Sequence, residues 1–208
     1  TDDDSGWRQP RLSGEQTLAF HRVRTLVTLD ELDVARREYV AMRRRVEAAV
    51  PSEHRLPFIR FMAREVEDYK HAFDAVDHTP EGMVDPTDAR WLMAYPRAYA
   101  PLVERLAGAE GVPAAFVYAI MRQESHFAPS AVSHADAVGA MQMIPPTAIR
   151  IAKERGWAYD SLRFPEPRVG FPYTTFYLRK HQDLWRGQLI LAAASYNPLQ
   201  LMAKWVGR

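Results

Sequence analysis

Cysteine is absent from the 208 residues, which excludes disulfides and thiolate metal sites. That absence assigns no compartment, since reduced and oxidising compartments both hold cysteine-free proteins. No apolar run approaches the roughly 18 residues of a membrane-spanning helix, and no alternating apolar and polar stretch of the strand type occurs. An all-α fold is therefore expected. His126 and His134 have no partner at metal-ligand spacing, so no metal site and no cofactor are expected. Charge of one sign is not in excess overall, the net value being +1. It is uneven along the chain, with 14 basic and 18 acidic residues up to Arg90 and 13 basic and 8 acidic after it. A modest basic excess suits an anionic partner or, more simply, a solvated surface. Nucleic acid is not expected, because the basic residues are not interleaved with exposed aromatics.

What is present is helical periodicity. In "DELDVARREYVAMRRRVEAAV" the apolar Leu32, Ala35, Tyr39, Met42, Val46 and Ala49 recur at alternating spacings of three and four, which predicts a helix with one narrow seam. Asp30 is its expected N-cap and Pro51 its stop. Leu18, Ala19, Val23, Leu26 and Val27 outline a helix before it, and Ile59, Met62, Val66, Tyr69 and Phe73 one after it. Short connections between such helices favour antiparallel neighbours, stacked as hairpins or as an α-superhelix. The polar stretch "DHTPEGMVDPTDA", punctuated by Pro80, Gly82 and Pro86, sets the expected boundary between a domain over 1–90 and a second over 91–208. Beyond it, "YPRAYAPLVERLAGAEG" predicts a helix stopped by Gly108 or Gly111, and Pro113 opens the next. Pro146 is expected to start a helix that closes at Gly156, residues 161–173 read as a loop, and helices resume in "YTTFYLRKHQDLW" and "QLILAAASYN".

The segment "YAIMRQESHFAPS" breaks the pattern. Phe116, Ile120 and Glu124 are each four residues apart, so a carboxylate falls on the apolar stripe near a helix C-terminus. Burial and the negative end of the helix dipole both disfavour an anion there. A plain explanation is a buried salt bridge with Arg122 or Arg150. A functional one is a carboxyl group kept protonated to act as a general acid, since a free glutamate with a pKa of about 4.3 is ionised at neutral pH.

Three polar islands at the edges of apolar helices stand out: Arg122-Gln123-Glu124-Ser125, then Gly139-Ala140-Met141-Gln142, then Ser195-Tyr196-Asn197. Ser133 lies nine residues after Glu124, and Ile144-Pro145 follows the second island. This ordered set closely resembles the soluble lytic transglycosylases of bacterial cell-wall turnover, in which an RQES element, a serine, a G-L-M-Q element, an M-P pair and an A-Y-N element recur at the same spacings. The resemblance covers residues 91–197, and residues 1–90 resemble more loosely the superhelix that precedes the catalytic domain in such enzymes.

The resemblance implies a goose-type lysozyme-like catalytic domain that acts on peptidoglycan glycan strands, in the periplasm or facing the cell wall. Glu124 would be the one catalytic carboxylate, whereas most glycoside hydrolases pair two. In the family the substrate's N-acetyl group is thought to stabilise the cationic centre, and the muramoyl 6-hydroxyl attacks C1, giving a 1,6-anhydro end. Substrate-binding roles are implied for Ser125, Ser133, Met141, Gln142, Tyr196 and Asn197: the serines and Gln142 on sugar substituents, Met141 on an apolar pocket wall, Tyr196 orienting Glu124, and Asn197 bracing its loop. Each has a duller alternative, such as a helix-end cap for Ser125, core filling for Met141 and an aromatic with a wet tip for Tyr196. The chain departs from the pattern at Ala140, Ile144 and Ser195, in "SHADAVG" where the family has S-P-x-G-A-x-G, in "RFPEPRVGFPY" and after Asn197. Asp136, in the fourth of these, admits a second reading, a lysozyme-like hydrolase using Glu124 with Asp136. A third is a wall-binding protein without activity.

Overall fold

The computed structural model describes residues 12–76, 88 and 90–196. Among them the regular elements are ten α-helices, and the only β-type pairings are isolated bridges. The chain divides into two compact units between Ala98 and Tyr99. The stretch expected to carry the boundary lies largely outside the described residues.

The N-terminal unit contains α1 (Gly14–Thr28), α2 (Leu32–Ala49), α3 (Ser52–Glu65), α4 (Tyr69–Asp74) and the short α5 (Trp91–Ala94). A reciprocal capping box opens α1: the Ser13 hydroxyl accepts from the Gln16 N–H, and the Gln16 side chain accepts from the Ser13 N–H. The seam expected on α2 is the buried one, with Ala35, Tyr39 and Val46 inside. They pack with Phe20 and Val23 of α1 and with Phe58, Phe61 and Met62 of α3. Each such large side chain taken out of water contributes about 1.5–3 kcal/mol.

Two expectations about these helices are corrected. The N-cap of α2 is Glu31, with no side-chain cap bond, because Asp30 takes a left-handed turn conformation (φ 60°) that closes α1 onto α2. The seam from Ile59 to Phe73 belongs to two helices, since Glu67 at φ 55° breaks the chain between α3 and α4. The spacing of three and four survives that break, so periodicity alone reads straight through it.

The C-terminal unit contains α6 (Ala100–Glu110), α7 (Ala114–Ser125), α8 (Pro145–Arg155), α9 (Pro167–Leu184) and α10 (Leu189–Tyr196). Gly111 (φ 66°) and Gly156 (φ 68°) end α6 and α8 in the left-handed conformation that glycine adopts without steric cost. The long α9 packs against α6, α8 and α10. An aromatic chain, Tyr159 to Phe164 to Tyr173 to Trp157, fills the space beside α8 with centroid separations of 5.4, 5.2 and 5.0 Å.

Residues 167–173, expected as loop, are the first two turns of α9. Pro167 stands in the first turn, where a missing N–H costs nothing, and Pro172 is tolerated inside the helix. Gly170 lets the helix approach the preceding loop, because a Cβ there would lie 2.5 Å from the Phe164 carbonyl oxygen. Proline and glycine that punctuate a loop in other settings here serve the start and the close packing of a helix.

Candidate active site

Glu124 is the penultimate residue of α7, whose buried face is Phe116, Val117, Ile120 and Met121. The carboxylate stands half-buried at the end of that stripe. Immediately after it the chain reverses through two left-handed residues, His126 (φ 52°) and Phe127 (φ 67°). The N–H of His126 returns to the Arg122 carbonyl and that of Phe127 to the Met121 carbonyl. Phe127 is buried, which drives the reversal inward, and its own carbonyl lies 3.5 Å from the Tyr99 hydroxyl.

The loop that follows, residues 126–144, folds back on itself through single antiparallel bridges, Val132 to Val138 and Val138 to Met143. Its polar side chains hold its own backbone. The Ser125 hydroxyl donates to the Ala140 carbonyl at 2.7 Å and accepts from the Ala128 N–H at 3.0 Å, tying the end of α7 to the Gly139–Gln142 turn. The Ser133 hydroxyl accepts from the N–H groups of Ala135 and Ala137 at 3.2 and 3.1 Å. The Gln142 amide nitrogen donates to the carbonyls of Ala131 and Gly139 at 3.1 and 2.9 Å, and its backbone is left-handed at φ 49°. Only an NH2 group can serve two carbonyls, so the amide oxygen of Gln142 is the atom left for an outside donor. Gly139 takes φ 81°, a conformation glycine adopts without steric cost.

Tyr196, the last residue of α10, is buried with its hydroxyl donating to the Met141 carbonyl at 2.9 Å. Its phenol is pushed well above the ordinary value by burial first, then by the nearby Glu124, with Tyr177 acting in the same direction. The two islands 72 residues apart in sequence, around Glu124 and Tyr196, are thus tied to the same Gly139–Gln142 turn, Ser125 through the Ala140 carbonyl and Tyr196 through that of Met141.

Of the residues expected at a site, the structure brings together Glu124, Ser125, the Gly139–Gln142 turn and Tyr196. Met141 is 2% exposed, so its side chain is core packing and offers a ligand almost no surface; its carbonyl is the part in use. Ser133 braces its own turn. Asn197 lies outside the described residues. Asp136 is exposed at the tip of a turn, with φ 58° at the place where the resembled pattern has glycine. Among the described residues no group of three His, Asp or Glu side chains is arranged to hold a metal ion.

A cluster that the sequence motifs do not reveal lies beside Tyr196. Tyr177 and His181, one turn apart on α9, make an edge-to-face ring contact at 4.4 Å and approach Tyr196 at 5.5 and 6.3 Å. Their i, i+4 spacing on one helix was the one available sign.

Comparison with known proteins matches residues 101–206, just over half the chain, to the family described as the transglycosylase SLT domain. The chain belongs to that family. The SLT domain here is 38% identical over 85 residues to a protein of Haemophilus ducreyi named membrane-bound lytic murein transglycosylase C, a stretch covering 39% of this chain and 23% of that one. A protein of the same name from Glaesserella parasuis is 38% identical over 73 residues, 35% of this chain and 20% of its own. Among solved structures, the 70 kDa soluble lytic transglycosylase of Escherichia coli superposes with a TM-score of 0.63 at 23% identity, over 91% of this chain and 30% of that chain. An inactive glutamate-to-glutamine mutant of the lytic transglycosylase Slt from Pseudomonas aeruginosa gives 0.57 at 23% identity, over 92% and 31%. These structures share the all-α fold, and the chain spans less than a third of each relative named.

Proposed function

We propose that this chain is the catalytic part of a peptidoglycan lytic transglycosylase in which Glu124 acts first as acid and then as base. The observation that carries the reading is the placement of Glu124: half-buried at the end of the apolar stripe of α7 in an SLT domain, beside Ser125, which ties that helix end to the Gly139–Gln142 turn. The names of the relatives, lytic murein transglycosylases, agree with it.

The chemistry needs one proton donor placed beside a poor leaving group. Protonated Glu124 gives its proton to the glycosidic oxygen as the bond from C1 of the muramoyl sugar breaks. The resulting carboxylate takes the proton of the same sugar's 6-hydroxyl while that oxygen bonds to C1. One C–O bond breaks, one forms, the carboxyl group ends protonated as it began, and no water enters. Gln142 presents its amide oxygen to an N–H or hydroxyl of the glycan, and the Ser133 hydroxyl has its proton to donate. Ser125 and Tyr196 act on the loop: each fastens a backbone carbonyl of the Gly139–Gln142 turn.

Peptidoglycan is then the partner, and the site faces the cell wall; no helix among the described residues is long and apolar enough to cross a membrane. The test is mass spectrometry of soluble products from purified peptidoglycan treated with the wild type and with Glu124→Gln. Expected are fragments ending in 1,6-anhydromuramic acid, lighter than reducing ends by one water, with the variant slower by about 10²–10⁴-fold. Reducing ends would mean hydrolysis and direct attention to Asp136. Glycan binding with no Glu124-dependent product would leave a wall-binding module.

A further inference from the structure

Ser195, where the resembled pattern has alanine, is the centre of a small hydrogen-bond cluster that the proposed reaction does not use. Its Oγ lies 2.6 Å from His181 Nδ1, 2.8 Å from Trp185 Nε1 and 3.0 Å from the Ala192 carbonyl oxygen. A serine hydroxyl has one proton and two lone pairs. The indole N–H can only donate, and a carbonyl can only accept, so the serine proton belongs to Ala192 and one lone pair to Trp185. The remaining lone pair requires a donor at His181 Nδ1. With the imidazole as acceptor instead, Ser195 would have no proton for Ala192, and that close contact would bring two acceptors together.

We propose that His181, carrying its proton on Nδ1, is a positioning residue that acts through Ser195 to hold Tyr196 and the Met141 carbonyl in place beside Glu124. The inference rests on the transglycosylase reading above. Ser195 and Tyr196 are consecutive in the last turn of α10, so fixing the hydroxyl of one sets the rotation and axial position of the other. The ring of His181 also stands against Tyr177 and Tyr196, which closes the space into which the phenol would tilt. Tyr196 then donates its hydrogen bond to the Met141 carbonyl, inside the turn that Ser125 ties to α7. Alanine, the residue of the resembled pattern at this position, has no hydroxyl to share.

The groups facing the imidazole are Arg150 from α8, Lys180 and Tyr177 from α9, and Tyr196 from α10. Burial first, then the two cations, hold the imidazole below its ordinary range, so it is neutral at neutral pH. The Nδ1–H persists on protonation, and the clamp does not depend on the charge.

Nitrogen NMR of the whole chain and turnover of purified peptidoglycan test this together. At neutral pH the His181 imidazole is expected as the neutral Nδ1–H tautomer. Ser195→Ala, which restores the family's residue and is compatible with the helix, is expected to lower kcat by about three- to tenfold with KM unchanged, and Ser195→Thr to recover most of the loss. A wild type with the proton on Nε2, or an alanine variant with undiminished kcat, would overturn the positioning role while the transglycosylase reading stands. A loss appearing in KM alone would overturn it as well. A wild type without Glu124-dependent turnover would remove the reaction and the role with it.

Discussion

The two units solve the same problem, polar groups inside a helical protein, in opposite ways. In the N-terminal unit the solution is charge. Glu47 Oε1 accepts from the Tyr39 hydroxyl at 2.8 Å and lies 2.7 Å from His71 Nε2, while Arg43 pairs with Asp68 at 2.9 Å. Burial alone would raise the Glu47 carboxyl, but the hydrogen bonds from His71 and Tyr39 outweigh it and hold the group below its ordinary range. The Tyr39 phenol is driven strongly upward, by burial and then by Glu47. In the C-terminal unit the side chains of Ser125, Ser133, Gln142 and Tyr196 are neutral, and their partners are main-chain atoms of one irregular loop. Ion pairs fasten helices whose own backbone bonds are complete. Hydroxyls and amides are needed where the backbone has left the helix and its carbonyls and N–H groups require partners.

That contrast can be broken by mutation. The largest stability effect is expected in the N-terminal unit: Glu47→Ala strands Tyr39 and His71 together and should cost about 2–3 kcal/mol in a urea titration, with the product distribution from peptidoglycan unchanged. A change in products would mean that the charge network serves the site. Tyr196→Phe should cost less, about 1–2 kcal/mol, by leaving the Met141 carbonyl unserved, and should slow turnover because the turn beside Glu124 loosens. Full activity in a destabilised Tyr196→Phe protein would reduce the bond to a purely structural one.

Acid sharpens the comparison with the smallest effect. His181 is held below 6.5 in the folded chain, so the unfolded chain binds its proton first and stability declines as pH falls below 6.5. Glu47 is held below 4.5, so its contribution is present above that value and is lost as pH falls through its lower folded value. Stability followed by pH should therefore fall less between neutral pH and mild acid in His181→Gln, and less in stronger acid in Glu47→Ala, than in the wild type. An unchanged decline in either variant would refute its assignment.

Legibility in the sequence tracked the distance over which a residue acts. The seam of α2, the glycine stops of α6 and α8 and the position of Glu124 on the stripe of α7 are local periodicities, and they stand in the structure as read. The division of Ile59–Phe73 into two helices and the helical state of 167–173 were misread, because a left-handed Glu67 and the close approach of Gly170 to Phe164 leave no mark on spacing. At the site, Ser125 and Gln142 were legible as polar residues in the right islands. Their partners were not, since Ala140, Ala131 and Gly139 contribute only carbonyls, which every residue possesses.

By itself the sequence determined an all-α chain with a carboxylate on an apolar helical stripe and an ordered set of islands at family spacing, because helix period and motif spacing are properties of neighbouring residues. Only the tertiary structure decided that Met141 would offer its carbonyl rather than its side chain, and that His181, Trp185 and Ser195 would meet beside Tyr196. Those outcomes depend on how α9, α10 and the loop after α7 pack, and a hydrogen bond between distant elements exists only when packing brings donor and acceptor within about 3 Å.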